Sequence, residues 1–117
     1  MIEDKVLQSF KGKECLVTGG TGLIGREVVK MLCDAEADVT IVSLDDIEID
    51  SRAIHNKRDL THFNLCMRAT WGIDFVFHLA GIKGSIEVTK SRPASFFVPL
   101  LQMNTNLLEA CRLNRVE

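Results

Sequence analysis

The chain has 117 residues, of which 26% are charged and 46% hydrophobic, a balance suited to one ordered globular domain. Its formal net charge of −2 gives no electrostatic case for nucleic acid or an anionic membrane as a partner, and no apolar run approaches the roughly 20 residues of a membrane span. The N-terminal stretch MIEDKVLQSFKGK mixes charges of both signs and lacks the apolar core of a signal peptide, so a cytoplasmic protein is expected.

Short apolar runs alternate with helical periods along the chain. ECLVTG (14–19) predicts a short buried strand. LIGREVVKMLC (23–33) predicts a helix with Ile24, Val28, Met31 and Leu32 on one face. DVTIVSL (38–44) is rich in β-branched residues and predicts a second strand, with a weak third strand inside 51–59. Residues 60–70 predict a helix with Thr61 as N-cap, and DFVFHLAG (74–81) predicts a fourth strand. Residues 94–114 form a long helical pattern, bent or started at Pro99. This alternation predicts an α/β fold, a Rossmann-like doubly wound parallel sheet with the first strand central. The cysteines, at 15, 33, 66 and 111, show no clustered spacing, so they are expected to be reduced and structural, with no metal site.

Chemistry concentrates where the first strand meets the first long helix. In Thr18-Gly19-Gly20-Thr21-Gly22-Leu23-Ile24-Gly25, three glycines recur at intervals of three. Gly19 lets the chain turn off the strand, Gly22 lets backbone approach a pyrophosphate, and Gly25 lets the helix pack closely on the sheet. The helix N-terminus, with Leu23 and Ile24 in its first turn, favours an anion. A mononucleotide P-loop is excluded: Arg26-Glu27 stand where it needs Lys followed by Ser or Thr. The pattern is that of a dinucleotide site.

This TGxxGxxG turn resembles that of the extended short-chain dehydrogenase/reductase superfamily, in its NAD-dependent epimerase/dehydratase branch. RDLTH (58–62) resembles the segment after the third strand, which implies that Asp59 and Leu60 meet the adenine. VFHLAG (76–81) resembles the fourth-strand ending, which implies cofactor contact at Leu79, Ala80 and Gly81. NLLEACRLNRV (106–116) resembles the helix leading to the fifth strand. The resemblance implies NAD as cofactor, with NADP as the alternative, and a nucleotide-sugar substrate for the full-length parent. It also implies homodimers formed through helices that include 94–113. Residues 1–117 would be the N-terminal part of one NAD(P)-binding domain, cut before the fifth strand, with the substrate-binding region outside the chain. The competing reading is a non-catalytic nucleotide-sensing or scaffold protein.

Several positions depart from the family pattern. The acid that takes the ribose hydroxyls should fall at Ser43, yet the acids are Asp45 and Asp46; either Asp45 takes the ribose or Ser43 leaves room for a 2′-phosphate. Glu36 stands where glycine often caps the helix. Leu100 stands at the place of the family's active-site Asn, and Asn104, one turn later, either replaces it or is an exposed polar residue. Asp59 has a second reading as a helix cap, and His78 is expected to be a packed, hydrogen-bonded residue without a catalytic role. Lys83, Ser85 and Arg92, in the loop 81–95, are candidates for substrate contact. The family's Tyr-x-x-x-Lys pair is missing, since the chain has no tyrosine, so no catalytic residue is expected within it.

Overall fold

Strand β1 (Glu14–Thr18) is the centre of the architecture. Its odd and even residues face opposite ways, and both faces are buried: Cys15, Leu16, Val17 and Thr18 are all inaccessible to solvent. The computed structural model describes residues 4–80, 91 and 93–117. In chain order these form α1 (Asp4–Gln8), β1, α2 (Leu23–Asp34), β2 (Asp38–Ser43), β3 (Ile54–Lys57), α3 (Phe63–Thr70), β4 (Phe75–His78) and α4 (Pro93–Leu113). The four strands make one parallel sheet in the order β3-β2-β1-β4. The chain therefore runs outward from β1 to β3 and then crosses back to β4. The strand order reverses beside the C-terminal end of β1, where sheets of this kind hold ligands.

Two apolar layers cover the sheet. On one face, Cys15, Val17, Val39 and Ile41 pack with Val29, Leu32 and Cys33 of α2. On the other, Leu16 and Val42 pack with Leu60, with Cys66 of α3 and with Met103, Leu107 and Ala110 of α4. Fully burying a side chain such as Leu16, Ile41 or Leu107 stabilises by about 1.5–3 kcal/mol each. Two asparagines fasten α4 to the segment around α3. The Asn106 amide donates to the Thr61 carbonyl (3.0 Å), and the Asn114 amide donates to the Met67 carbonyl (2.9 Å) and the Thr70 hydroxyl (2.8 Å). Ahead of β1, the Phe10 ring lies edge-on to Phe75 and Phe77 of β4, with centroids 5.2 and 5.7 Å away.

Three local expectations change, and a fourth, at Glu36, holds. The buried residues of α2 are Gly25, Val29, Leu32 and Cys33; of the face expected, Leu32 is buried, Val28 and Met31 are half-buried, and Ile24 is 69% exposed. Thr61 does not cap α3. Its N–H (3.0 Å) and hydroxyl (2.7 Å) both donate to the Asp59 carboxylate, and His62 takes the N-cap position without a side-chain cap. Helix α4 runs through Pro99 and so does not start there. Pro99 has no N–H for the Ser95 carbonyl, but Ser95 is exposed and water can serve that group. Glu36 occupies the left-handed region (φ 64°), the conformation that glycine ordinarily supplies after a helix.

The cysteines are free; Cys15, Cys33 and Cys66 are buried and Cys111 half-buried. Burial pushes the Cys15 and Cys66 thiols up to about 11, which suits inert packing groups. Among the described residues no cluster of metal-ligating side chains occurs, and no helix is long and apolar enough to cross a membrane.

Candidate functional site

A cavity of about 490 Å³ opens at the C-terminal ends of the strands. Gly19, Thr21 and Gly22 line it from the turn after β1, Ser43 and Asp45 from the end of β2, Asp59 and Leu60 from the segment after β3, and Leu79 and Ala80 from the end of β4. The fold thus brings together residues that are far apart in sequence. Gly25, Leu23 and Ile24 do not line the cavity. Gly25 lies beneath the turn, and Leu23 is 89% exposed beside Ile24 on the first turn of α2. Gly81, Lys83 and Ser85 lie outside the described residues, as does Arg92.

The three glycines have different reasons to be glycine. Gly19 has φ 69°, and a Cβ there would come within 2.7 Å of the Ala80 nitrogen. It is fixed by backbone conformation and by the close approach of β4. A Cβ on Gly25 would lie 2.2 Å from the Gly19 carbonyl oxygen, so the close contact is with the turn itself and not with the sheet as expected. Gly22 is different. It has ordinary extended geometry (φ −75°, ψ 173°), and an added Cβ would meet only the Gly19 oxygen, at 3.4 Å. Packing of the protein does not require glycine there.

Gly22 is also the N-cap of α2, with no side-chain cap and no acidic residue in the first turn. The N–H groups of Leu23, Ile24 and Gly25 have no intrahelical acceptor. The positive end of the helix is therefore left unneutralised beside the cavity.

The far wall is fixed by a continuous set of hydrogen bonds. The Thr21 hydroxyl donates to the Asp45 carboxylate (2.8 Å), tying the glycine turn to the end of β2. The Ser43 hydroxyl donates to the Asp45 carbonyl (3.1 Å) and lies 2.7 Å from His55 Nε2. Ser43 is thus 8% exposed with its hydroxyl engaged, whereas the Asp45 side chain is exposed at the cavity. The two bonds from Thr61 hold the Asp59 carboxyl below its usual range, so it is charged at neutral pH. On the opposite side, Thr18 Oγ1 accepts the N–H groups of Leu79 (3.0 Å) and Ala80 (3.1 Å). It also lies 2.6 Å from His78 Nδ1, while His78 Nε2 lies 2.6 Å from Asn104 Oδ1. His78 is a hydrogen-bonded, half-buried residue, as expected. Asn104 is half-buried and engaged, so its reading as an exposed polar residue does not hold.

Arg58, Thr61, Val42, Leu44 and Met103 also line the cavity and are not among the site residues expected from the sequence. Arg58 and Thr61 flank the Asp59-Leu60 pair, so adjacency was the available signal. Met103 lies three residues after Leu100, the spacing that shares a helical face.

Similarity to known proteins agrees with this layout. The chain is 29% identical to the UDP-glucose 4-epimerase of Rickettsia bellii over 114 residues, covering 86% of this chain and 31% of that one. Its fold matches that of the epimerase Mth375 from Methanothermobacter thermautotrophicus with a TM-score of 0.85 at 24% identity, over 96% of this chain and 35% of the other. The structure of MoeE5 in complex with UDP-glucose and NAD matches at 27% identity with a TM-score of 0.77, over 89% and 34% of the two chains. The chain therefore spans about a third of the length of these relatives. The glycine turn, the strand order and the residues gathered around the cavity coincide with a match over residues 15–117, and on these grounds the chain belongs to the NAD dependent epimerase/dehydratase family.

Proposed function

We propose that this chain forms the NAD-binding part of a nucleotide-sugar epimerase, dehydratase or reductase. The observation that carries the proposal is Gly22. Nothing in the protein's own packing demands a glycine at that position, yet it borders the cavity at an uncapped helix N-terminus. A ligand that needs backbone and N–H groups at close range accounts for it, and a pyrophosphate is such a ligand.

The remaining residues fit the rest of the same molecule. Asp45 presents the acidic side chain beside the turn and would receive the ribose hydroxyls; its charge disfavours a 2′-phosphate, hence NAD over NADP. Ser43 supports Asp45 from behind. Asp59 and Leu60 would border the adenine, and the Leu79-Ala80 backbone would border the ribose and the path to the nicotinamide. NAD, when bound, would supply reversible hydride transfer at the sugar. The chain has no tyrosine to act as the proton donor and acceptor of the family reaction, so alone it is expected to bind NAD without turning over a nucleotide sugar. The same missing tyrosine favours the second reading, a non-catalytic nucleotide-binding protein. Hydride exchange with a nucleotide sugar by the 117-residue chain would overturn the expectation that the catalytic group lies elsewhere, and would contradict the second reading outright.

Gly22→Val tests the site directly. Valine suits the extended backbone at this position, so the fold should survive, while NAD binding measured by calorimetry should be lost. Unchanged affinity in the folded variant would remove the pyrophosphate role of the turn.

A further inference from the structure

We infer that Asn104 is a positioning residue that fixes the Leu79-Ala80 wall of the cavity from a distance, through His78 and Thr18. The inference deepens the NAD-binding reading and rests on it for its functional consequence.

The argument is an accounting of protons. A threonine hydroxyl has one proton to donate and two lone pairs to accept with. At Thr18 both lone pairs face N–H groups. Ala80 N–H points at Oγ1 (3.1 Å), and Leu79 N–H is shared between Oγ1 (3.0 Å) and the Thr18 carbonyl (3.1 Å). The hydroxyl proton must therefore go to His78 Nδ1, 2.6 Å away. Nδ1 then carries no proton, and the neutral ring has its proton on Nε2. That proton is donated to Asn104 Oδ1 at 2.6 Å. The reverse arrangement fails. Were Nδ1 protonated, Thr18 Oγ1 would face three donors with two lone pairs, the Leu79 N–H would be left to the Thr18 carbonyl alone, and the Thr18 hydroxyl proton would have no acceptor among the described contacts. Asn104 thus supplies the acceptor for the Nε2 proton and so supports the tautomer that lets Thr18 hold the wall. Thr18 is fully buried, so water does not replace a missing partner there.

The wall has little slack. The Ala80 nitrogen already lies within 2.7 Å of where a Gly19 Cβ would be, so Ala80 and the glycine turn define the cavity width together. A displaced Ala80 changes the space between them.

Two substitutions nearly equal in size to asparagine separate chemistry from packing. Asn104→Leu removes the acceptor. Asn104→Asp keeps an acceptor and, at about pH 8, holds the ring proton on Nε2 in the same way. ¹⁵N NMR of the NAD-free chain should show the Nε2–H tautomer of His78 in the wild type and in Asn104→Asp. In Asn104→Leu the Leu79 and Ala80 amide resonances should move. NAD affinity by calorimetry should fall about tenfold in Asn104→Leu and stay within about twofold of wild type in Asn104→Asp. Asn104→Ala gives the same comparison should leucine prevent folding. Unmoved amide resonances in the variants lacking the acceptor would overturn the inference, as would equal loss of affinity in the leucine and aspartate variants. A wild-type chain that binds no NAD would instead overturn the proposed function, and the NMR comparison would still decide the positioning of the wall.

Discussion

Gly25→Ala tests whether the glycine turn and α2 are held together by backbone contact. The added carbon would lie 2.2 Å from the Gly19 oxygen, 2.8 Å from Gly20 Cα and 3.0 Å from the Gly19 carbonyl carbon. All three are backbone atoms, so no side chain can swing aside. Relief requires the turn and the first turn of the helix to separate by about 1 Å, the gap between that oxygen contact and an ordinary carbon–oxygen approach. Overpacking costs about 1–3 kcal/mol, and three backbone contacts with nothing to swing aside put this site in the upper part of that range, at about 2–3 kcal/mol. Alanine returns up to about 1 kcal/mol through its better helix propensity. The net loss is about 1–2 kcal/mol, which for a domain of this size lowers the thermal midpoint by about 4–8 °C. Circular dichroism melting of wild type and variant measures it, with Gly22→Ala as the control, since that carbon meets its nearest atom at 3.4 Å. A Gly25→Ala midpoint equal to or above that of the wild type would refute the reasoning.

Two further outcomes follow from local geometry. Glu36→Gly relieves a left-handed backbone while keeping the Glu36 N–H bond to Cys33 and the carbonyl bond from Gly12. It forfeits only the exposed Lys11–Glu36 pair. A gain of about 1 kcal/mol in urea unfolding is expected, and a loss would count against the strain. Arg52 clamps Asp50 at 2.8 Å and Asp34 at 2.9 Å, and its hydrogen bonds hold the Asp50 carboxyl at about 2. A carboxyl depressed in the folded state contributes stability above its unfolded value near 3.8 that is lost as pH falls toward 2. Arg52→Met should flatten the stability–pH curve over that window. Parallel curves for variant and wild type would show that the clamp does not couple to folding.

Much of the sheet was legible because its signal is local. The runs at β1, β2 and β4 are apolar on both faces, as a covered parallel sheet demands. β3 was weak in sequence because it is an edge strand whose residues are half-buried or exposed. The buried face of α2 was only partly legible because an apolar count ignores glycine, and Gly25 is where the helix touches most closely. At residues 59–63 two cap-forming residues compete, and spacing does not reveal that Asp59 captures the Thr61 hydroxyl. The cavity-lining residues of the glycine turn followed from their motif. Asn104 could not be resolved from sequence, because its partner His78 lies 26 residues away and meets it only once α4 has docked on the sheet.

The contact of Phe10 with β4 sets the practical limits of this unit. Family similarity starts at residue 15, but the packed molecule starts earlier. A version trimmed to the similarity boundary would lose the ring that packs edge-on to Phe75 and Phe77 and leave these two aromatic side chains more exposed on β4, the end strand of the described sheet. Such a surface invites self-association. Anyone shortening this cradle, or grafting it onto another scaffold, should carry the segment ahead of β1 along with the glycine turn.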